Sequence, residues 1–335
     1  MSSDGERGPS RLCFHEFGVP AEVLRLEAFE PRPPQSGEAL VRVLAAPIHP
    51  ADLNFIEGSY GIRPVLPAVP GGEGCGEVIE SAVPGLRAGD RVVFLHRTGT
   101  WATHVTTAAG DLLRIGADSD ILQAAMLKVN PVTAWCLLNH FAELHPGDWV
   151  VQNLGNSAVG RCVIQLARDA GVRTISFVRS QEQVAGLTDL GAEAVFVDGE
   201  EGMRAAMDRM GGAEARLAFN AVGGESVLRL IRQLAESGTL VTYGAMARKP
   251  VTVPNSPLIF RDIRIRGLWV TRWLEQTDPR KVREVHELLG EKVRAGRLLQ
   301  PVDSVHPLRG WRAALARLSA ADRSGKVLFG PCTVP

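Results

Sequence analysis

The chain has 335 residues, 37 basic and 37 acidic, so its formal net charge is zero; 45% of it is hydrophobic and 22% charged. That length predicts about two domains, and that composition excludes a largely disordered chain. The charge balance excludes a polyanion as the main partner, so no nucleic acid is expected. No apolar run reaches about 18 residues, which excludes a transmembrane helix, and no membrane partner is expected.

Met1 to Arg11 is polar, carries Gly5, Gly8 and Pro9, and has no apolar core of a secretory signal. Asp4 and Glu6 interrupt what an Arg-rich, acid-poor presequence requires, so the segment reads as a short disordered tail on a cytoplasmic protein. Cys13, Cys75, Cys136, Cys162 and Cys332 are odd in number and widely spaced, and are expected to be buried thiols rather than a disulfide framework.

Up to residue 128 the chain reads as β-rich. Ala39–Leu44, Gly76–Ile79 and Asp90–Leu95 are short apolar runs bounded by Gly, Pro or Asp, as strands between turns should be. Pro33, Pro34, Pro64, Pro67 and Pro70 forbid helix across the loops they occupy. After Lys128 the pattern changes. A helix is expected over Ala134–Leu144, a strand over Trp149–Asn153, a helix over Gly160–Asp169 and a strand over Thr174–Val178. Further strands are expected at Ala194–Val197, Ala215–Asn220, Gly238–Tyr243 and Ile263–Val270. Strands alternating with helices of this length predict a parallel sheet with right-handed crossovers. Pro279–Arg294 reads as a long helix and Lys326–Phe329 as a last strand. The expected organisation is a β-rich domain of residues 1–128 and 273–335, interrupted by a nucleotide-binding domain of residues 129–272.

Gly155-Asn-Ser-Ala-Val-Gly160 lies between an apolar strand and an apolar helix. Against G-x-G-x-x-G it keeps the first and last glycines and places Ser157 at the middle one, a small residue that still lets backbone N–H groups approach a pyrophosphate at a helix N-terminus. Strand, turn and helix together predict dinucleotide binding. The next strand ends in Arg179-Ser180-Gln181 with no acid before Glu182. A cation there suits a 2′-phosphate, so NADPH is expected over NADH. Tyr243-Gly244-Ala245-Met246 follows a later strand and forms a second candidate patch, where open sheets place ligands.

These residues carry a resemblance along nearly the whole chain. Pro47–Asn54, Gly58-Ser-Tyr-Gly61, Leu66–Gly74, Val129–Ala134, Gln152–Gly160, Val241–Met246 and Gly267-Leu-Trp269 resemble the zinc-free medium-chain dehydrogenase/reductases, and among them the mitochondrial-type 2-enoyl thioester reductases. Asn130-Pro131 and Gly58–Gly61 are the specific part. The resemblance implies an α/β protein with a Rossmann domain inserted into a GroES-like substrate domain. It implies NADPH-dependent reduction of the 2,3 double bond of enoyl thioesters of coenzyme A or acyl carrier protein, with hydride to the β-carbon and a proton to the α-carbon. It places a catalytic role on Tyr60, one of only two tyrosines. It places cofactor contacts on Asn130, Asn156, Ser157, Ala158, Val159, Arg179, Ser180, Gln181, Tyr243, Gly244, Ala245, Met246, Leu268, Trp269, Val270 and Lys326. Ala245 replaces a glycine of the family pattern, and Ser180 and Gln181 are less charged than it.

No metal site is expected. The segments where zinc-dependent members keep Cys and His ligands read His49-Pro-Ala-Asp52 and Gly72-Glu73-Gly74, too few ligands for a catalytic zinc, and His49 is expected to be a structural or pocket residue. A quinone or alkenal reductase, and a NADPH-binding interaction protein without turnover, are the alternative readings. Ile263–Val270 resembles the edge strand through which relatives join sheets, so a homodimer is expected.

Overall fold

The computed structural model describes residues 8–330. The sequence expectations for residues 1–7 and for Cys332 lie outside the described residues. Ser10 and Arg11, expected to belong to a loose tail, instead open the strand Ser10–Cys13, which pairs antiparallel with Arg25–Ala28. Leu12 and Cys13 are the reason: both are buried, and Leu12 donates its N–H to the Trp101 carbonyl at 2.8 Å.

The described residues divide into two compact units, 8–129 with 280–330, and 130–279, so the inserted unit ends seven residues later than the expected 272 and includes the helix Val270–Gln276. The first unit is the GroES-like one. Its main sheet runs, from edge to edge, through the strands Val302–His306, Lys326–Phe329, Glu38–Pro47, Cys75–Ser81, Arg91–Phe94 and Leu112–Ile115, and His104–Ala108 also pairs with Glu38–Pro47. All pairs are antiparallel except the first, where Val302–His306 and Lys326–Phe329 run parallel. Alternation of buried and partly exposed residues along these strands fills two apolar clusters, one around Phe14, Phe55, Trp101 and Phe329, the other around Val41, Val78, Val92 and Phe94. The C-terminal strand therefore completes a sheet begun near the N-terminus. The helix Pro50–Glu57 starts with Pro50 at its first position, where the missing N–H costs nothing, and stops at Gly58, whose φ of 76° is left-handed. A Cβ at Gly58 would also lie 2.9 Å from the Phe17 ring.

The second unit is a six-stranded sheet, parallel throughout. Its spatial order is Ala194–Val197, Arg173–Val178, Trp149–Gln152, Ala215–Asn220, Leu234–Thr242, Arg264–Gly267, which in order of sequence is 3-2-1-4-5-6. That is the doubly wound Rossmann order, with its switch point between Trp149–Gln152 and Ala215–Asn220. The helices Ala158–Asp169, Glu200–Met210 and Glu225–Arg232 lie between successive strands; Glu200–Met210 and Glu225–Arg232 bury one face each, whereas Ala158–Asp169 is buried all round from Cys162 to Ala167.

Several expected elements differ in their bounds, such as the strand expected over Gly238–Tyr243, which spans Leu234–Thr242; two of the differences have a clear local cause. The helix before the sheet spans Asn130–Asn139, not Ala134–Leu144, because Pro131 is tolerated in a first turn and the Asn139 side chain donates to the Trp135 carbonyl at the far end. The edge strand covers only Arg264–Gly267; Ile263 is buried in the core before it, and Val270 already opens the helix Val270–Gln276.

Candidate active site

In the Rossmann unit the glycine turn is built for close backbone approach. A Cβ at Gly155 would stand 2.7 Å from the Ser176 Cβ, and one at Gly160 would stand 2.6 Å from the Gly155 carbonyl oxygen, so neither position admits a side chain. Ser157 caps the helix Ala158–Asp169: its Oγ accepts from Gly160 N–H at 3.0 Å. Ala158 and Val159 are the first two helical residues, whose N–H groups have no intrahelical acceptor, and the helix dipole favours an anion in front of them. The Asn156 carbonyl accepts from Arg161 Nε at 3.2 Å. Tyr243 brings its hydroxyl, fully buried, toward Ser157 without closing a well-formed hydrogen bond, and burial pushes the phenol far above its usual range. An orphaned buried hydroxyl beside a glycine cradle and a helix N-terminus fits a dinucleotide pyrophosphate. The structure thus joins Asn156–Val159 with Tyr243.

The remaining cofactor candidates of this unit follow the strand ends. Arg179 directly follows Arg173–Val178, is exposed, and forms no salt bridge among the described residues. Its N–H donates to Gln183 Oε1 at 3.2 Å. Ser180 precedes the short turn of 3₁₀ helix Gln181–Gln183, and its hydroxyl holds the Glu182 carboxyl below the usual range. Tyr243 and Met246 donate backbone N–H to the carbonyls of Asn220 and Ala221 at 3.0 and 2.9 Å. Between them Gly244 lies so close to Ala221 that a Cβ would meet it at 3.3 Å, while Ala245 and Met246 are exposed. Leu268 N–H reaches the Thr242 carbonyl at 2.9 Å, and Trp269 and Val270 start the next helix. Asn130 is buried and opens the helix Asn130–Asn139.

Sequence reading missed two asparagines that set these strand ends. Asn153 Nδ2 donates to Asn220 Oδ1 at 2.8 Å and to Ser226 Oγ at 3.0 Å, while Asn153 Oδ1 accepts from Ala221 N–H at 2.7 Å. Asn220 Oδ1 also accepts from Gly223 N–H at 3.0 Å, and Asn220 Nδ2 reaches Thr242 Oγ1 at 3.2 Å. Both residues are fully buried, so each unmade bond would be costly. The available signal was an amide closing each of two apolar runs at the switch point.

In the GroES-like unit, Tyr60 lies in the loop after Gly58, anchored by Ser59 and Tyr60 N–H donating to the Asn54 carbonyl at 2.9 and 3.1 Å. Its half-buried ring faces the Arg97 guanidinium at 5.5 Å, and Arg97 also covers Phe55 at 4.6 Å and pairs with Asp52 at 3.1 Å. Asp52 in turn accepts from His49 N–H at 3.1 Å. His49 Nε2 is hydrogen-bonded to Glu73 Oε1, Glu73 Oε2 accepts from Val129 N–H at 2.8 Å, and Lys326 Nζ lies 2.8 Å from His49 Nδ1. Lys128 Nζ donates to the Gly72 carbonyl at 2.6 Å, and burial brings its pKa down to about 8. Among the sequence candidates, then, Lys326 is placed against His49. The donor set does not fit a catalytic zinc: His49 and Glu73 bond to each other, and the second ring nitrogen faces an ammonium. Among the described residues, the three-member group with metal-ligand spacing is Cys13, His15 and Glu27, on the small two-stranded sheet.

Residues 35–117 match the family model described as alcohol dehydrogenase GroES-like domain, and residues 158–291 the model described as zinc-binding dehydrogenase. The mitochondrial enoyl-[acyl-carrier-protein] reductase of Homo sapiens is 41% identical over 313 residues, 91% of this chain and 84% of that protein. The chain belongs to the enoyl-[acyl-carrier-protein] reductase family. The Arabidopsis thaliana enoyl-[acyl-carrier-protein] reductase, also named mitochondrial, is 39% identical over 87% of this chain and 80% of its own length. Among solved structures, the Etr1p complex with NADP and crotonyl-CoA matches with a TM-score of 0.87 at 29% identity, covering 96% of this chain and 99% of Etr1p. A putative NADPH:quinone reductase from Bacillus thuringiensis matches with a TM-score of 0.90 at 28% identity, with the same coverage of both chains. The mitochondrial names of these enoyl reductases overturn the expectation of a cytoplasmic protein. That expectation rested on the first eleven residues, which lack an apolar core and carry Asp4 and Glu6.

Proposed function

We propose that this chain reduces the 2,3 double bond of trans-2-enoyl thioesters, on coenzyme A or acyl carrier protein, with NADPH. The observation that carries the reading is the likeness, over 96% of the chain, to a structure holding NADP and an enoyl thioester, crotonyl-CoA. The hydride for the β-carbon comes from NADPH when it is bound. The chain's own residues bind, orient and protonate. Ala158 and Val159 N–H, with Asn156 and Ser157, hold the pyrophosphate at the helix N-terminus. Arg179, with Ser180 and Gln181, holds the 2′-phosphate through a charge-assisted contact that the nearby Glu182 weakens. Asn130, Tyr243–Met246, Leu268–Val270 and Lys326 contact the rest of the cofactor. Tyr60 hydrogen-bonds the thioester carbonyl or gives the α-carbon its proton as enolate charge develops.

The test is product labelling. With crotonyl-CoA and unlabelled NADPH in D₂O, the saturated product should carry one solvent deuteron at the α-carbon and none at the β-carbon. Deuterium at the β-carbon, or no saturated thioester at all, contradicts the reading. The quinone reading is kept alive by the Bacillus thuringiensis likeness, and a quinone reduced faster than crotonyl-CoA would favour it.

The functional form is a homodimer joined through the strand Arg264–Gly267. All four residues of that edge strand are exposed, and Ile259 and Phe260 beside it are 69% and 77% exposed. An open, partly apolar edge is an association liability unless a second strand covers it. Sedimentation at micromolar concentration should give twice the chain mass; a monomer there refutes the dimer.

A further inference from the structure

The contact between Lys326 and His49 fixes more than a position. An ammonium only donates, so His49 Nδ1 must accept from Lys326, and the ring proton is forced onto Nε2, which donates to Glu73. Glu73 is fully buried and its second oxygen is held by Val129 N–H. His49 is therefore held with Nδ1 as acceptor and Nε2 as donor, between the buried Lys326 and the buried Glu73. Its own backbone is pinned by Asp52, which accepts His49 N–H and is locked in turn by Arg97. Nothing in Lys326 itself supplies such rigidity, because a four-carbon stem with three rotatable donors aims poorly unless an acceptor holds it.

We infer that His49 is the positioning residue of the cofactor lysine: through a single tautomer it links Lys326 to the buried Glu73 charge and fixes where the ammonium points. The inference rests on the reading that Lys326 contacts NADPH. It assigns to His49, expected from the sequence to be a structural or pocket residue, and to its partner Glu73 a role in NADPH affinity.

Two substitutions separate the two ring nitrogens. Asn at position 49 sets an amide oxygen where Nδ1 stands and still accepts from Lys326, whereas Gln sets its amide where Nε2 stands and reaches only Glu73. NADPH dissociation constants are measured by cofactor fluorescence for the wild type, H49N, H49Q, K326M and H49Q/K326M, with thermal melts as the folding control. K326M and H49Q should each weaken NADPH about tenfold or more, the loss of a hydrogen bond to a charged group. H49N should stay within about threefold of the wild type, and H49Q/K326M should bind no worse than K326M, because both act through one ammonium. In steady state, H49Q should raise the KM for NADPH with little change in kcat. Equal affinity for H49N and H49Q, or a double-variant loss equal to the product of the single losses, overturns the positioning role while leaving the Lys326 contact intact. Unchanged affinity in K326M instead removes the contact itself, and the inference with it. If H49N fails to fold, H49Q and the double variant make the same decision.

Discussion

Replacing Tyr60 by Phe deletes one oxygen and its proton. The ring remains, with the Arg97 guanidinium 5.5 Å from its centre and Asp52 holding Arg97 in place, so the cation–π contact of about 0.5–1 kcal/mol survives. The loop is equally indifferent to the change, since Tyr60 is anchored by its backbone N–H on the Asn54 carbonyl and the chain turns at Gly58. What is lost is the donor that meets negative charge on the thioester oxygen or delivers the α-proton. General-acid and oxyanion groups contribute about 10²–10⁴-fold in rate. The half-buried ring leaves room for solvent to stand in as proton source, which places the expected loss of kcat at about 10²–10³-fold, or roughly 3–4 kcal/mol. The assay is NADPH oxidation with crotonyl-CoA at saturating cofactor, with NADPH affinity and melting temperature as controls. Both controls should match the wild type. A fall in kcat of less than about threefold would show that Tyr60 only packs. A collapse of NADPH affinity would move its hydroxyl from the substrate to the cofactor.

Arg179→Ala should lower the preference for NADPH over NADH, measured as the ratio of kcat/KM values, by about one to two decades, the worth of a charge-assisted contact of about 1.5–3 kcal/mol; an unchanged ratio would place the 2′-phosphate elsewhere. His286 is fully buried, bonds the Val282 carbonyl at 2.7 Å, and is pushed down to a pKa of about 4 by burial. Its folded value lies below its unfolded value, so the unfolded chain binds the extra proton between about pH 6.5 and 4, and stability falls as pH drops through that window. The loss is on the order of 3 kcal/mol, and His286→Leu should flatten denaturant midpoints between pH 6.5 and 4.5; an equally steep fall would assign the acid limb to other groups. Arg317 makes bonds of 2.7 and 2.8 Å to the almost fully buried Asp303, whose carboxyl it holds far below the usual range. Arg317→Met should destabilise the protein by about 2–3 kcal/mol, the lower side of a buried pair because Arg317 keeps partial contact with water; a melting temperature within a degree of wild type would contradict this.

Much of the sheet of the Rossmann unit was legible because strands such as Trp149–Gln152, Ala194–Val197 and Ala215–Asn220 are short apolar runs closed by a turn residue or an amide. Ala194–Val197 and Ala215–Asn220 have the bounds the pattern predicts, and so do the helix Pro279–Arg294 and the strand Lys326–Phe329. Boundaries failed where a local rule was outweighed: Pro131 reads as a break but sits in a first turn, and Ile263 reads as strand but packs in the core. The glycine turn was legible since its two glycines have no room for a Cβ. The chain Lys326–His49–Glu73 was not, because its contacts span 277 and 24 positions and only the closing of the sheet by the last strand brings them together. Asn153 and Asn220 were hidden for the same reason, 67 residues apart and meaningful only as a bonded pair.

The most direct test of the central claim is one substrate panel under one set of conditions. NADPH oxidation is followed with crotonyl-CoA, a longer trans-2-enoyl-CoA, an enoyl thioester of acyl carrier protein, a short alkenal and a quinone, and kcat/KM is compared across them. At least one enoyl thioester should exceed both the alkenal and the quinone by tenfold or more (about 1.4 kcal/mol of transition-state binding). Turnover of the quinone or alkenal with idle enoyl thioesters would contradict the account, and so would NADPH binding with no turnover of any of the five.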